Sequence, residues 1–388
     1  MVENFPMKRN ATVLVTASGG IIGQGIMKSL RFATNSALSP NRYRILAVDS
    51  SPLAAGIYRS DLGLIIPEAS DPEYIDSIIK YLKIYDADAL FAGSDEELIT
   101  LASAKKRIER ESSAKVLVAE LETIKIARDK WETYKFLKSN NLSCAESCLP
   151  ENKDEFTREF GFPLVVKPRE GFGSVNFFVT NSIREMDYAI NKIHEYGWKP
   201  MLQEYLPGLD QEFTSGITID SNAVCIMSSI AIRKYLKGGQ TYKAFIDDYP
   251  IVRLSAENAA RKLGATGALN IQAKYAPDTD VIRSSRTSEF EPINPNEILH
   301  NGKMKIFEIN PRFSATCPLR SYAGVNEPDI VFRNSVLGEK IEKVSNYKRL
   351  VCMRYWNEVY VDLVAYEKLK NTGSVKQGLQ NSGIPSYF

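Results

Sequence analysis

"MKIFEINPRFSAT", Met304 to Thr316, carries charge into what ought to be a buried strand. Met304, Ile306, Phe307 and Ile309 are its apolar residues, Glu308 and Asn310 share one face at period two, and Pro311-Arg312 ends the strand. One reading is an edge strand with a solvated face. The other follows from the cost of burying an unpaired carboxylate: something cationic sits there. Two oxygen-bearing side chains on one face suit Mg²⁺, and Arg312 is then free to hold an anion beside it.

The rest of the chain limits what such a site can use. At 388 residues it is long enough for two or three domains, and 49 basic against 47 acidic residues leave no polyanion-binding imbalance. The N-terminal residues lack an apolar signal core and no stretch approaches a membrane span, so a cytoplasmic protein with no membrane or nucleic-acid partner is expected. The five cysteines are scattered and suggest no disulfide framework; Cys144 and Cys148 are close, but no second Cys or His pair completes a zinc site. With only His194 and His300, the chemistry falls to carboxylates, amides, Lys and Arg.

Strand and helix patterns alternate through the first block: ATVLVTA, a helix from IMKSLRFA, YRILAVD, DLGLIIP, the helix DPEYIDSIIKYLKIYD, ADALFAG, the helix LITLASAKKRIER and AKVLVAE. This predicts an open parallel α/β sheet with right-handed crossovers. From Thr123 a helix, the strands GFPLVVKP and GSVNFFVT, the helix SIREMDYAINKIHEYG and KPMLQEYL read as a small α+β unit. Strands then dominate: EFTSGITID, NAVCIMSSIAIRKY and, after the helix ENAARKLGA, GALNIQAKYA. Pro277 to Lys303 reads as a long hairpin loop whose polar composition also suits disorder. After about Leu337 a tail with apolar patches is expected to pack back on the body.

Several segments could carry chemistry. In SGGIIGQG, Ser18, Gly20 and Gly23 fall at the glycine positions of a dinucleotide turn and Asp49 ends the next strand, which fits NAD or a small anionic substrate; glycines here also serve tight packing. Lys167, followed by Glu170-Gly171-Phe172-Gly173-Ser174, offers a point charge beside backbone N–H groups, as polyphosphate requires; a surface hairpin is the alternative. Glu204 and Glu212 flank an extended segment that could meet a purine edge and ribose hydroxyls, or are simply surface acids. Gln272 can pair across the hairpin with the strand of Glu308 and Asn310, giving oxygens for Mg²⁺ against phosphate. Arg312, Arg320 and the run Arg233-Lys234 are candidates for holding a carboxylate, although that run equally suits a solvated strand end.

In this order, K-P with a Gly-rich loop, Q-E-Y-L-P-G…E-F-T, N-I-Q and F-E-I-N-P-R-F-S resemble the ATP-grasp superfamily, nearest to the large-subunit halves of carbamoyl phosphate synthetase and similar carboxylate–amine ligases. The resemblance runs over roughly residues 11 to 335. It implies an N-terminal Rossmann-like α/β domain (1–122), an ATP-grasp small subdomain (123–202), a large subdomain with the metal site (203–345) and a C-terminal tail (346–388). It implies that Lys130 and Lys167 contact phosphate, that Gly171, Gly173 and Ser174 form the flexible loop, and that Glu204, Tyr205 and Leu206 form the adenine hinge. Glu212 becomes the ribose acceptor, Gln272, Glu308 and Asn310 the metal ligands, and Arg312 the group facing the γ-phosphate and the acyl phosphate. Lys167, Arg312 and Arg320 are the catalytic candidates, with ATP and two Mg²⁺ ions (or Mn²⁺ in their place) as cofactors. Ala315 departs from the pattern, where relatives carry glycine.

The implied activity is ligation of a small carboxylate and an amine through an acyl phosphate, releasing ADP and phosphate, in a protein that is commonly a homodimer. Carbamoyl-phosphate-type or kinase-like transfer, a non-catalytic nucleotide-binding protein and a Rossmann oxidoreductase are the alternatives. A complete carbamoyl phosphate synthetase is not expected from one ATP-grasp unit.

Overall fold

A computed structural model of the protein describes residues 9–36, 39–171, 175–208, 212–277, 302–344, 346–355, 357–376 and 382–383. The first block forms β1 (Arg9–Val15), α1 (Ile21–Asn35), β2 (Asn41–Asp49), β3 (Leu62–Ile65), α2 (Tyr74–Ile84), β4 (Ala89–Phe91), α3 (Leu98–Ser112) and β5 (Lys115–Leu117). Apolar runs such as Val13-Leu14-Val15 are buried on both faces, as crossover helices on each side of a parallel sheet require. The strands from β1 to β5 lie in the order β3-β2-β1-β4-β5, all parallel. That order reverses between β1 and β4, the kind of switch point beside which open α/β sheets bind ligands. The loops leaving β1 and β4 meet at this point so closely that a Cβ on Gly93 would lie 2.0 Å from the Thr16 carbonyl oxygen.

Two helices, α4 (Leu121–Arg128) and α5 (Lys130–Ser139), lead to a four-stranded antiparallel sheet. It contains β6 (Ser147–Cys148), β7 (Leu164–Pro168), β8 (Phe178–Thr180) and β9 (Pro200–Glu204) in the order β6-β9-β7-β8. Helices α6 (Lys153–Phe160) and α7 (Ile183–Glu195) give it a core around Phe156, Met186 and Ile193.

The larger antiparallel sheet is built from β10 (Glu212–Ile219), β11 (Ile226–Lys237), β12 (Gln240–Ile246), β13 (Gly267–Pro277), β14 (Gly302–Asn310) and, beyond them in the chain, Leu350–Met353. Helix α8 (Pro250–Leu263) covers one face with Tyr249, Val252, Ala256 and Ala260, and begins seven residues before the segment ENAARKLGA. Strand β12 was not expected. Its polar residues show no alternation, and it is placed by Gly238 and Gly239, whose φ angles of +57° and +74° suit the two central positions of a hairpin turn. The expected long loop lies mostly outside the described residues.

Helices α9 (Cys317–Ala323) and α10 (Glu327–Leu337) fill the space between the large sheet and the N-terminal domain. One continuous apolar cluster runs from Val13, Ile26 and Phe91 through Phe313, Cys317 and Phe332 to Met227 and Ile230. The two sheets therefore share a core. The chain ends as β15 (Leu350–Met353), β16 (Tyr360–Val361), α11 (Leu363–Thr372), β17 (Ser374–Lys376) and β18 (Ser382–Gly383). Strand β15 extends the large sheet next to β12, and β17 adds antiparallel to the free edge of β3.

Candidate functional site

The strand of the opening quotation pairs with β13 at the end of the large sheet. Asn270 faces Asn310 and Gln272 faces Glu308, and the register then slips so that Ala273 faces Ile306. Phe307 is the extra residue of a bulge, which re-phases side chains along the strand. Met304, Ile306 and Ile309 remain in the core, while Lys305, three residues before Glu308, joins the same face as Glu308 and Asn310. Period two alone would place Lys305 on the opposite face. The bulge also sets the Phe307 ring under the Lys167 ammonium, 5.9 Å from its centroid.

Most of the charged site candidates are already neutralised within the protein. Glu204 accepts from Lys305 at 2.6 and 2.7 Å and from the Glu146 amide at 2.7 Å. Its neighbours Tyr205 and Leu206 follow directly on from the end of β9, and the Leu206 carbonyl accepts from Lys274 at 2.9 Å. Glu212 pairs with buried Lys234 at 2.9 Å. Arg312 pairs with Asp95 through two bonds of 2.7 Å. Arg320 is wholly buried against Glu327 at 3.1 Å and also donates to Asn270 at 2.9 Å.

Arg320 was expected to meet the substrate. It is instead enclosed on the same sheet face as Glu212, Gln272 and Asn310, against Thr214 and Asn270, and Gly216 leaves room for it, since a Cβ there would sit 1.8 Å from Glu327 Oε1 and 2.2 Å from Arg320 Nη1. We therefore read it as a buried support for Asn270, the residue paired with Asn310.

Lys130, Lys167 and Glu308 have no opposite charge in contact among the described residues, and unlike Arg233 and Asp49, which are equally unpaired, they lie at one place. Lys167 is only 5% exposed and donates to the neutral Gln203 amide at 2.8 Å. Burial, then the nearby Lys130 charge, pull its pKa down from 10.5 to about 7, with Glu308 acting in the other direction. Lys130, at the start of α5, donates to the Gly171 carbonyl at 2.8 Å, and its own amide donates to the Arg169 carbonyl at 2.8 Å. These bonds fasten the first turn of α5 to the beginning of the loop after β7. Gly173 and Ser174 lie outside the described residues. A cavity of about 400 Å³ lies here, lined by Asp95, Arg128, Lys130, Gly171, Glu308 and Asn310 among others.

Gln272 has a chemically determined orientation. Lys234 can only donate and ionised Glu308 can only accept, so Gln272 turns Oε1 to the Lys234 ammonium and Nε2 to Glu308 Oε2, the latter at 2.9 Å. Its oxygen thus faces Lys234, and Glu308 with Asn310 present the oxygens nearest the cavity. Adjacent Arg233 points to the other face, 4.6 Å from the Phe245 ring centroid, because successive strand residues alternate. Only Lys234 of that pair reaches the site.

In the N-terminal turn, Asp49 accepts from the Gly19 amide at 2.8 Å and the Ser51 amide at 3.0 Å. The ribose position of a dinucleotide fold is thus occupied by backbone partners. Among the described residues no group of three His, Cys, Asp or Glu could hold a metal alone, and no helix is long and apolar enough to cross a membrane. Glu308 and Asn310 do fit Mg²⁺ that brings phosphate oxygens with it, since this ion is commonly held by one or two protein carboxylates plus substrate and water.

Comparison with known proteins identifies the class. Residues 127–276 match the ATP-grasp domain and residues 21–117 match the PylC-like N-terminal domain, so the chain carries an ATP-grasp domain behind a PylC-like one. It is 22% identical to the carbamoyl phosphate synthase large chain of Helicobacter pylori over 380 residues, 92% of this chain and 32% of that one. The corresponding large chain of Thermoanaerobacter pseudethanolicus is 22% identical over 310 residues, 74% of this chain and 26% of that one. The chain thus spans about a quarter to a third of the length of these relatives. Its fold is similar to that of N5-carboxyaminoimidazole synthetase from Staphylococcus aureus, solved with ADP, at a TM-score of 0.62, 15% identity and coverage of 90% of this chain and 83% of that one. It is also similar to the biotin carboxylase domain of Hydrogenobacter thermophilus 2-oxoglutarate carboxylase, a dimer solved with MgADP and bicarbonate (TM-score 0.62, 14% identity, 86% and 71% coverage).

Proposed function

We propose that the protein is an ATP-dependent ligase that activates a small carboxylate as an acyl phosphate and joins it to an amine. The observation that carries this reading is that Lys130 and Glu308 line one cavity with no opposite charge in contact, and that Lys167, whose charge is felt alongside both, is buried against only a neutral amide; the other unpaired charges of the lining, Glu96 and Lys199, are exposed. A buried ammonium of this kind calls for an anion, and Glu308 calls for a cation. Magnesium polyphosphate answers both.

In this reading Lys130 and Lys167 hold phosphate oxygens, the Glu204–Leu206 segment receives the adenine edge and Glu212 accepts from ribose. Glu308 and Asn310 hold Mg²⁺, while Gln272 orients Glu308. Two Mg²⁺ ions, or Mn²⁺ in their place, would be held by these residues together with phosphate oxygens and water. Bound there, the metal supplies neutralisation of phosphate charge. A carboxylate oxygen of the acid attacks the γ-phosphorus, the bond to the β-phosphate oxygen breaks and ADP leaves. The amine nitrogen then attacks the acyl carbon, phosphate departs with the carbonyl–oxygen bond pair, and the nitrogen gives up a proton. Lys167 and Arg312 limit the charge built up on phosphoryl oxygens, and the apolar surroundings limit hydrolysis.

The units 1–122, 123–202, 203–345 and 346–388 are proposed as functional divisions, supported by the separate sheets, and a homodimer is the proposed assembly. The deciding assay is Mg-ATP incubated with a small-metabolite extract, following ADP, AMP and phosphate, with Glu308→Gln as the blank. ADP and phosphate that depend on the extract, and fall at least roughly 100-fold in Glu308→Gln, are expected. AMP with pyrophosphate would replace the acyl phosphate by an adenylate, and equal turnover in the variant would remove Glu308 from the centre.

A further inference from the structure

Arg312, the residue expected to face the acyl phosphate, is held by a carboxylate 217 residues away in the other domain. Arg312 Nε donates to Asp95 Oδ1 and Nη2 to Asp95 Oδ2, both at 2.7 Å. Nη2 also donates to Asn310 Oδ1 at 3.2 Å, and Nη1 donates to the Phe313 carbonyl at 3.1 Å. Each nitrogen of the fork therefore has an acceptor, and one N–H of Nη1 is left for a ligand. We infer that Asp95 is a positioning residue of the ligase centre, through which the N-terminal domain sets the direction of the Arg312 guanidinium.

The loop that carries Asp95 is fixed from within. Glu97, 3% exposed, accepts from the Gly93 amide at 2.7 Å, the Ser94 amide at 2.9 Å, Thr16 Oγ1 at 2.5 Å and Tyr74 Oη at 2.6 Å. These donors come from the end of β1, the start of α2 and the loop itself, at the sheet's switch point. Asp95 is consequently presented to Arg312 from a loop whose backbone cannot drift. Two parallel charge-assisted bonds fix both the place and the plane of a guanidinium, which a single contact does not. Glu308, the carboxylate assigned to the metal, also attracts the Arg312 charge, but less than Asp95 does.

The inference rests on the ligase reading, and the experiment separates the two. Extract-dependent ADP formation from Mg-ATP is measured for the wild type, Asp95→Asn, Asp95→Glu, Arg312→Lys and the double variant Asp95→Asn/Arg312→Lys, with Mg-ADP affinity and thermal unfolding of each. Asp95→Asn is expected to lower kcat roughly tenfold or more while KM for Mg-ATP stays within about twofold, with partial recovery in Asp95→Glu. The double variant should be no slower than Arg312→Lys, because both changes break one unit. If Asp95→Asn does not fold, Glu97→Gln, which loosens the loop and keeps both partners of the clasp, carries the same expectation. Wild-type kcat in Asp95→Asn, or effects that multiply in the double variant, would overturn the inference while leaving the ligase reading intact. An Arg312→Lys enzyme as fast as wild type would likewise overturn the inference, since the direction of the guanidinium would then not matter, whereas no extract-dependent ADP in the wild type would remove the ligase reading beneath it.

Discussion

Lys167 should take up a proton when nucleotide binds. In the free protein burial and the Lys130 charge hold its pKa at about 7, so near pH 8 only about one molecule in ten carries the charge. A bound polyphosphate stabilises the charged form and returns the group toward its ordinary value. Binding of Mg-ADP near pH 8 should therefore take up roughly 0.8 to 0.9 proton, and near pH 6 almost none. Affinity should fall by about tenfold, or ~1.4 kcal/mol, for each pH unit above 7 and be flat below it. The same shift acts on folding: a lysine whose folded pKa is depressed binds its proton more weakly than the unfolded chain does. Stability is thus lowest, in this contribution, below about pH 7 and rises with pH between about 7 and 10.5. Calorimetric titration of Mg-ADP in buffers of different ionisation enthalpy measures the uptake directly, with Lys167→Met as the control that should lose it. The same binding heat in every buffer near pH 8 would refute the reasoning, because Lys167 would then be charged before the ligand arrives.

Two further substitutions examine the supporting shell. Arg320→Ala should cost about 3–5 kcal/mol in denaturant unfolding because it leaves Glu327 buried and uncompensated, and the double change Arg320→Ala/Glu327→Ala should cost clearly less than the sum of the singles; strict additivity would mean that the pair does not act as a unit. Lys234→Met removes the cation shared by Glu212 and Gln272, should lower the melting temperature because largely buried Glu212 loses its partner, and should raise KM for Mg-ATP roughly tenfold in the folded enzyme. An unchanged KM would place Lys234 outside nucleotide binding.

The fold was legible where burial imposes a period. Val13-Leu14-Val15 and Ala89-Leu90-Phe91 are apolar on both faces, and that pattern has few solutions other than a covered parallel sheet. Strand β12 was hidden because Gln240, Thr241 and Lys243 are exposed or half-buried, so hydrophobic alternation never marks it. In β14, Glu308 and Asn310 could be placed from spacing, but Lys305 could not, since one unpaired residue at Phe307 reverses the phase of everything before it. Arg233-Lys234 shows the same limit from the other side: period two says that the pair must split, and only the register with Glu212 says which member faces the cavity.

Residue type alone fails hardest for arginine. Arg312 and Arg320 are eight residues apart and look alike as anion holders, yet the helix that follows Cys317 ends at Gly324, whose φ is +115°, and the turn brings Glu327 back beneath Arg320. Arg320 then belongs to the protein's interior. Arg312, at the end of its strand, meets Asp95 because β4 ends at the switch point of a sheet that shares its core with the large sheet. Neither outcome follows from residue type: Arg312 depends on a carboxylate 217 residues away, and Arg320 on a turn that returns one seven residues further on. Subtracting such pairs separates charge already matched within the fold, whose polar atoms can still orient a ligand, from charge left unmatched. Glu204 with Lys305, Glu212 with Lys234, Arg312 with Asp95 and Arg320 with Glu327 cancel within the fold. Lys130, Lys167 and Glu308 do not, and they line or adjoin the same cavity. The carboxylate that looked misplaced in an apolar strand is thus the anionic member of a set whose other two members are cations, which is the complement of a metal-bound polyphosphate.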